Sequence, residues 1–459
     1  MYQIDFQKPK HIHFIGIGGI SMSGLAEVLL EENFIISGSD AKESPLTRTL
    51  ESRGAKIYYG QRASNIDDSV EIVVYTAAIH PDNPEYACAV EKKLPMLSRA
   101  ELLGQIMKNY ETPIAVAGTH GKTTTTSMIS HILLENDSDP TISVGGILPA
   151  IHGNIRVGKS EIFLTEACEY TNSFLSFFPK IGIILNMDAD HLDFFKDIED
   201  IRHSFRRFAQ LLPSDGTLII NADTPAYETI IKDLPCQVIT YGLEQEAQYT
   251  AASISYDALG HASFTVLENG TPIGTYHLSV PGVHNVSNAL SAIITGRLLG
   301  IKDEVIALGL KHFTGTDRRF QKKGEIAGVT IVDDYAHHPT EIEATLHAAS
   351  NYPHKKIWCV FQPHTYTRTK ALLPEFAKAL TLADHVVLAD IYAARETDTL
   401  GISSGDLQKR IQDLGTPCEY FSTFDEIENF LLENCTQGDL LITMGAGDVV
   451  KIGEHLLGN

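Results

Sequence analysis

The sequence lacks the features of membrane, secreted and nucleic-acid-binding proteins. No stretch approaches about 18 apolar residues and the first ten residues hold no apolar run, so we expect neither membrane insertion nor export. Basic residues are scarce, because 36 Lys and Arg face 58 Asp and Glu for a formal net charge of −22, which argues against nucleic acid as a partner. The six cysteines form no C-x-x-C pair, which argues against a zinc ribbon and a disulfide framework. A cytoplasmic protein with reduced thiols is therefore expected.

The chain is long enough for several hydrophobic cores. It has 459 residues, 43% of them hydrophobic and 20% charged, which suggests about three domains. Short apolar runs alternate with amphipathic helical patterns throughout, as in α/β proteins with mainly parallel sheets. We predict a Rossmann-like domain over 1–110, a central P-loop ATPase-type domain over 111–316 and a C-terminal Rossmann-like, doubly wound domain over 317–459.

The most specific motif is the segment 117–125, AGTHGKTTT, between an apolar strand and a predicted helix. Glycines let backbone N–H groups surround phosphate oxygens, Lys122 adds a charge, and the Thr123 hydroxyl can bind Mg²⁺. The motif departs from the general P-loop at Val116, which occupies the position of the first glycine. The sequence therefore predicts an ATP site with a run of adjacent contacts: Gly118, Thr119, His120, Gly121, Lys122, Thr123 and Thr124.

Two further strands are expected to bring metal ligands to the same sheet edge. Glu166 ends the strand-like run 162–165, and His191 ends the segment 186–191 (NMDADH), which follows the strand-like run 181–185. Parallel sheets bind ligands at their carboxyl edge, so Glu166 is expected to bind Mg²⁺, with Mn²⁺ as the alternative ion, and His191 offers a ligand for a second divalent ion. A structural role for His191 is the alternative.

Later segments offer candidates for the rest of a nucleotide. Asn285 and Asn288 lie three residues apart on one helical face, and carboxamides suit an adenine edge, although helix capping is the alternative. Arg319 could reach a triphosphate, or belong to a solvated basic pair with Arg318. Asp334 starts a turn rich in acids and histidines, typical of a ribose or substrate contact.

The first domain carries a partial dinucleotide fingerprint. Glycines follow the first strand, a serine replaces the third glycine of the pattern, and an aspartate ends the second strand. A diphosphate at a helix N-terminus fits this pattern, whereas nicotinamide is not implied. The residues expected to bind that ligand are Gly16, Gly18, Gly19, Ser21, Gly24 and Asp40.

Together these motifs resemble the Mur ligases of bacterial peptidoglycan synthesis, over nearly the whole chain. The segments that carry the resemblance are 13–24 (HFIGIGGISMSG), 118–125 (GTHGKTTT), 284–288 (HNVSN), 319–320 (RF), 334–341 (DYAHHPTE) and 362–368 (QPHTYTR). The resemblance implies an ATP-dependent ligase that holds UDP-N-acetylmuramate in the first domain, Mg-ATP in the second and L-alanine in the third. The segment 166–170, EACEY, departs from it, since many relatives carry an acidic residue at the position of Cys168.

The resemblance also implies roles for single residues. Lys122, Glu166, His191 and Arg319 are expected to be catalytic, with Thr123, Glu166 and His191 at the metal ions. Asn285, Asn288, Arg319 and Asp334 are expected to complete the ATP site. His338, His364 and Arg368 are expected to hold the amino-acid and lactyl carboxylates.

Three other functions remain open on the sequence. A sister ligase that attaches a recycled murein peptide to the same nucleotide would share every motif. An NAD-dependent oxidoreductase would use the first domain but leave the Lys122 loop without a purpose. A nucleotide-sensing binding protein would need no metal-binding acids at strand ends. The oligomer is expected to be a monomer or a homodimer.

Overall fold

The computed structural model describes residues 2–76, 78–394 and 396–459. Its strands form three sheets, each of which is covered by helices, so the predicted α/β class with Rossmann-like outer domains and a P-loop centre is confirmed. The predicted boundaries at 110 and 316 stay predictions. In the part of the chain that the structure describes, no helix is both long and apolar enough to cross a membrane.

The first sheet has five parallel strands in the order β3-β2-β1-β4-β5. Its strands are β1 (His11–Ile15), β2 (Ile35–Asp40), β3 (Lys56–Tyr59), β4 (Ile72–Tyr75) and β5 (Met96–Ser98). Its helices are α1 (Ile20–Glu31), α2 (Pro45–Ser52), α3 (Pro84–Glu91) and α4 (Arg99–Met107). Capping boxes at Ser44 and Ser98 fix the starts of α2 and α4.

The central sheet has ten strands in the order β15-β14-β13-β12-β11-β10-β6-β9-β7-β8. Its strands are β6 (Thr112–Ala117), β7 (Thr141–Leu148), β8 (Gly153–Arg156), β9 (Ile162–Ala167), β10 (Ile181–Ile184), β11 (Thr217–Asn221), β12 (Gln237–Gly242), β13 (Tyr249–Tyr256), β14 (His261–Glu268) and β15 (Thr271–Pro281). Its helices are α5 (Lys122–Glu135), α6 (Ile198–Ala209), α7 (Tyr227–Ile231), α8 (Val283–Leu298) and α9 (Asp303–His312). The strands β13 to β15 form an antiparallel extension that the sequence analysis did not foresee.

The third sheet has the order β16-β17-β21-β18-β19-β20 and is parallel except for the edge strand β16. Its strands are β16 (Gln321–Ile326), β17 (Val329–Asp334), β18 (Ile357–Phe361), β19 (His385–Leu388), β20 (Cys418–Tyr420) and β21 (Leu440–Met444). Its helices are α10 (Pro339–Ser350), α11 (Tyr366–Ala371), α12 (Leu373–Leu380), α13 (Ser404–Asp413), α14 (Phe424–Asn434) and α15 (Val450–Leu456). Three short 3₁₀ segments lie outside these elements: Ala63–Asn65, Pro149–Ile151 and Tyr170–Ser176.

The first two sheets share one hydrophobic core. A single cluster of buried side chains joins Phe14 and Leu103 of the first domain to Phe163 and Phe174 of the central one. Helix α4 packs so closely on the central domain that a Cβ on Gly104 would collide with the carbonyl oxygen of Ser176. The third sheet, in contrast, has two buried clusters of its own. The first two domains are therefore one packed unit.

Candidate active site

The phosphate loop lies at a topological switch point of the central sheet, where the strands that follow β6 in the chain are placed on both sides of it. Strand β6 stands between β10 and β9, and the loop after it runs directly into α5. Gly118 and Gly121 have φ values of 150° and 81°, and a Cβ on Gly121 would stand 2.7 Å from Asn288 Oδ1. The loop thus needs glycine at both positions and presents its backbone N–H groups at a helix N-terminus.

Lys122 is held inside this loop as a cation. Its ammonium donates to the carbonyl oxygens of Gly118 and Thr119, the latter at 3.1 Å, and to Glu169 Oε2 at 3.0 Å. Burial lowers the pKa of Lys122, but the adjacent Glu169 carboxylate, with Glu166 nearby, outweighs it and raises that pKa to about 12. Glu169 therefore supplies a buried negative charge beside Lys122 although residue 168 is a cysteine.

The Glu166 carboxylate lies at the carboxyl end of β9, directly beside the loop. Its Oε2 accepts from the Thr123 hydroxyl at 3.1 Å, and its Oε1 accepts from Gly145 N at 2.6 Å. A Cβ on Gly145 would stand 2.8 Å from Glu166 Oε2, so β7 can approach the carboxylate only through a glycine. A hydroxyl and a carboxylate at this spacing are the hard oxygen donors that Mg²⁺ prefers, so these residues fit the ion.

His191 is brought to the same place by a strained turn. Its φ is 52°, and its ring lies against the ring of Tyr170, with centroids 4.5 Å apart. The ring nitrogen Nε2 is 3.8 Å from both Glu169 Oε1 and Asp190 Oδ2. The structure thus brings His191 into one cleft with Lys122 and Glu166, which also contains Thr123.

A second cavity, beside the loop, lies between the central and third domains. It contains Asn285 and Asn288 of α8, as well as His284 and Phe313. The Asn285 amide donates to Pro281 O at 2.7 Å and accepts from Asn288 Nδ2 at 3.1 Å, so the two carboxamides orient each other. Their shared helical face is as predicted, whereas their contact with adenine stays a prediction.

The two arginines before β16 differ in their surroundings. Arg318 donates to Asp333 Oδ2 at 2.9 Å and to two backbone carbonyls, so it fixes the start of the third domain. Arg319 lines both cavities, and its nearest carboxylate oxygen, Glu341 Oε1, is 3.9 Å away. Arg319 is thus the arginine of this pair that remains available to an anionic ligand.

Asp334 holds the same junction from the end of β17. Its carboxylate accepts from Phe320 N and Ala336 N, both at 2.8 Å, and lines the second cavity. Burial raises the pKa of Asp334 to about 6, since the two N–H groups and Arg319 only partly compensate.

The predicted carboxylate-binding residues come together in the third domain, at its contact with the central one. Arg368 donates from Nε to Asp190 Oδ1 at 3.0 Å and from Nη1 to His364 Nδ1 at 3.0 Å. Burial lowers the pKa of His364 to about 4, so its ring is neutral and accepts that bond. His338 lies 3.3 Å from Ala189 O across the same interface. Arg368 therefore already faces a carboxylate of the protein itself, and its contact with a substrate carboxylate stays a prediction.

Five of the six predicted first-domain residues lie together where β1 and β2 end. Gly16 has a φ of 85°, Gly18 N donates to Asp40 Oδ2 at 2.8 Å, and Gly19 and Ser21 are exposed at the start of α1. The sixth differs, because Gly24 is buried one turn further along α1. A Cβ there would stand 2.8 Å from the Ile155 side chain of β8, so Gly24 serves close packing between the domains.

Several residues of the site were not predicted. Four residues contact a predicted site residue or line the cleft that contains Lys122 and Glu166: Glu341, Asp190, Glu169 and His337. Glu341 and His337 belong to the motif 334–341. Their spacing of four residues at the start of a predicted helix was the sequence signal that could have identified them.

Family models match most of the chain. The model of the Mur ligase family catalytic domain matches residues 11–111, that of the Mur ligase middle domain 116–296 and that of the Mur ligase glutamate ligase domain 318–447. The chain therefore belongs to the Mur ligase family, which is the class that its three sheets and its phosphate loop also indicate.

Within this family, relatives at 53 to 62% identity are named for one reaction. A UDP-N-acetylmuramate--L-alanine ligase of Agathobacter rectalis is 62% identical over 457 residues, which cover 100% of both chains. One of Clostridium botulinum is 53% identical and covers 97% of both. Among solved structures, the UDP-N-acetylmuramate-alanine ligase of Thermotoga maritima superposes with a TM-score of 0.79 at 29% identity over 98% of both chains. A murein peptide ligase of Psychrobacter arcticus has a TM-score of 0.69 at 26% identity, again over 98% of both.

Proposed function

We propose that the chain joins the lactyl carboxylate of UDP-N-acetylmuramate to the amino group of L-alanine, with ATP cleaved to ADP and phosphate. One observation supports this most directly. A single cleft is lined by Ile20 of the first domain, by Lys122 and Glu166 of the central domain and by Arg319 and His337 of the third. A reaction of three substrates needs such a meeting point, and relatives at 53 to 62% identity are named for this reaction.

Each substrate has a place in this arrangement. The Gly16 turn with Asp40 takes the UDP group, the loop at Lys122 takes the phosphates of ATP, and the cavity around Asn288 takes its base. L-Alanine enters between His191 and Arg368, where a smaller cavity lies between the central and third domains. The lactyl group then points from the first domain towards Lys122.

The first step forms an acyl phosphate. The lactyl carboxylate attacks the γ-phosphorus of ATP, and the two anions repel each other unless positive groups surround them. Lys122 and Arg319 supply such charge. The hydrogen bonds of Lys122 fix its ammonium before the substrates bind, so little reorganisation of this group accompanies the reaction. The γ-phosphoryl group leaves ADP and becomes bound to the carboxylate oxygen.

Divalent ions, Mg²⁺ or Mn²⁺, fit the residues at the edge of β9. The Thr123 hydroxyl and the Glu166 carboxylate would hold one ion and His191 a second. When bound, the ions neutralise phosphate charge and polarise the oxygens to which they bind. The chain orients these ligands itself, through Gly145 N on Glu166 and the Tyr170 ring on His191.

The second step forms the amide. The neutral amine of L-alanine attacks the acyl phosphate carbonyl, phosphate leaves with the electrons of the broken C–O bond, and the proton that the nitrogen loses is taken up by the departing phosphate. Water has to be excluded meanwhile, because it would hydrolyse the acyl phosphate. The contacts of Arg368 with Asp190 and of His338 with Ala189 O hold the third domain against the central one and reduce the access of water. The enzyme is proposed to be cytoplasmic and to act as a monomer or a homodimer.

The alternatives fit less well. A murein peptide ligase superposes with a TM-score of 0.69, against 0.79 for the L-alanine ligase of Thermotoga maritima, and the relatives at 53 to 62% identity are named for L-alanine. An oxidoreductase needs no ATP site, so the interpretation as an oxidoreductase does not explain the buried Lys122–Glu169 pair or the Thr123–Glu166 contact. A nucleotide-binding protein without catalysis would keep the Lys122 loop but would not need the Glu166 carboxylate at the end of β9.

Amine choice tests the proposal directly. Phosphate release with UDP-N-acetylmuramate should be fastest with L-alanine and slower by about 10- to 200-fold with glycine, because a missing methyl costs only about 1 to 3 kcal/mol. L-Serine should also react, since it adds only a hydroxyl, whereas L-leucine and a murein tripeptide should not. Faster release with the tripeptide than with L-alanine would assign the chain to peptide recycling.

A second prediction concerns Arg368. Arg368→Ala should raise the KM for L-alanine by about tenfold or more, because a charge-assisted contact of roughly 1.5 to 3 kcal/mol is lost. The KM for ATP should change less, since the base cavity does not include Arg368. Steady-state kinetics with each substrate varied in turn measures both, and the exposed Arg48 offers Arg48→Ala as a control. Equal changes in both constants would show instead that Arg368 acts only through domain closure.

A further inference from the structure

The side chain of His120 has no role in the mechanism above. Backbone N–H groups of the loop suffice for phosphate oxygens, yet the His120 ring is largely buried, with 12% of its side chain exposed. Its Nε2 lies 3.1 Å from Asp188 Oδ2 and its Nδ1 lies 3.1 Å from Glu341 Oε1. Asp188 follows β10 of the central domain, whereas Glu341 stands in the first turn of α10 in the third. One ring therefore bridges two domains.

The charges around His120 indicate which form of the ring is present. Nδ1 forms a hydrogen bond with Glu341, and Nε2 lies at ion-pair distance from Asp188, so a carboxylate faces each nitrogen and favours the imidazolium over a neutral ring with one N–H. Burial lowers the pKa of His120, but Asp188 and Glu341 together raise that pKa to about 9. The other group packed against the ring is His338, with centroids 4.8 Å apart, and burial lowers its pKa.

The partner in the third domain is itself firmly placed. Glu341 Oε2 accepts from His337 N at 3.1 Å, and its carboxylate also faces His337 Nδ1 at 3.3 Å and Arg319 at 3.9 Å. Burial raises the pKa of Glu341, but His337, His120 and Arg319 outweigh it and hold that pKa well below its usual range. His120 thus contacts a carboxylate that is held in place by its own neighbours, and opening of the third domain would move this carboxylate away from the ring.

We propose that His120 is a positioning residue which, as an imidazolium, ties the phosphate loop to helix α10 and so couples nucleotide binding to closure of the third domain. The proposal rests on the proposed function for the identity of the nucleotide. Glu341 lines both the cavity proposed for adenine and the cleft proposed for the phosphates. A nucleotide that binds the closed form more tightly would therefore bind better when this contact favours closure. Conversely, closure would be weakened at a pH high enough to convert the His120 imidazolium to the neutral ring.

A metal site is the competing explanation for the same residues. One ligand atom each of His120, Asp188 and His338 lie within 4.8 Å of one another. The hydrogen bonds already present argue against it. His338 Nδ1 accepts from Thr340 N at 3.3 Å and its Nε2 faces Ala189 O, while both nitrogens of His120 face carboxylates.

The test measures ADP affinity and molecular dimensions in the full chain, neither of which requires ligase activity. Calorimetric titration with Mg-ADP at pH 7 should give a Kd about fivefold or more higher for His120→Gln and for Glu341→Gln than for the wild type. The double variant should be no weaker than the weaker single variant, because both substitutions break one contact. Small-angle X-ray scattering should show a larger radius of gyration for each variant. His312→Gln, which removes an exposed pair with Glu135 inside the central domain, should match the wild type.

Measuring the Kd for Mg-ADP at several pH values separates this role from a merely structural one. The ratio of variant to wild-type Kd should fall towards one as the pH rises from 7 to 10, since the wild-type contact is present below about 9 and lost above it. Additive effects of His120→Gln and Glu341→Gln, or a ratio unchanged with pH, would overturn the proposal. So would one equivalent of Zn²⁺ bound by the wild type and lost in His120→Gln, Asp188→Asn and His338→Gln alike.

Discussion

Replacing Lys122 with alanine should lower the turnover number by about 10³-fold, at the upper end of what one preorganised electrostatic contact supplies. The ammonium lies within the loop that cradles the phosphates and is charged throughout the physiological range, as its pKa of about 12 requires. Without it, the lactyl carboxylate and the γ-phosphoryl group approach with less compensation of their charges. Phosphate release under saturating substrates measures the effect.

Stability needs its own control in that experiment, because Lys122→Ala leaves the buried Glu169 carboxylate without its ammonium partner. The double variant Lys122→Ala/Glu169→Gln removes the unpaired charge and should melt closer to the wild type, yet remain inactive. Lys180→Ala, at a pair with Asp215 on the surface of the same domain, should keep full activity. Turnover at the wild-type rate in a folded Lys122→Ala protein would contradict the assignment of the phosphate loop.

Replacing Glu166 with glutamine should lower the turnover number by about 10²-fold or more and weaken Mn²⁺ binding. The carboxylate is aimed by Gly145 N and lies 3.1 Å from the Thr123 hydroxyl, so the substitution keeps the shape of the site while removing its negative charge. A metal ion supplies several kcal/mol of transition-state stabilisation, which poorer ligation forfeits in part.

Electron paramagnetic resonance of free Mn²⁺ measures ion binding in the presence of ADP, independently of turnover. The matched control is Glu161→Gln, since Glu161 is an exposed acid just before the same strand β9. Unchanged Mn²⁺ affinity in Glu166→Gln would place the ion elsewhere in the cleft.

Local motifs made much of the site predictable. The phosphate loop, Glu166 and His191 were placed at one sheet edge because each follows a short apolar strand, and parallel strands end on the same side. The structure does bring these residues together. The turn at Gly16 and Asp40 were found in the same way, since the turn follows β1 and Asp40 ends the neighbouring parallel strand β2.

Contacts between distant segments were not predictable. Arg368 and Asp190 are 178 residues apart and His120 and Glu341 are 221 apart, and no local pattern reports which domain surfaces meet. The extension β13 to β15 was missed for another reason. It is an antiparallel meander at one edge of a sheet whose central strands are parallel. The sequence analysis expected strands and helices to alternate regularly there, so the period-two pattern of 261–268 was not interpreted as a strand.

The core that joins the first two domains has a consequence for engineering. Since Phe14 and Leu103 pack in the same cluster as Phe163 and Phe174, and Gly104 leaves no room for a side chain at Ser176, residues 1–110 are not an interchangeable cassette. A chimera that grafts this segment from a distant ligase would pair two surfaces that were not shaped together, and would expose apolar area on both. A successful chimera would have to take residues 1–110 and the segments around β8, β9 and 170–176 from the same parent protein.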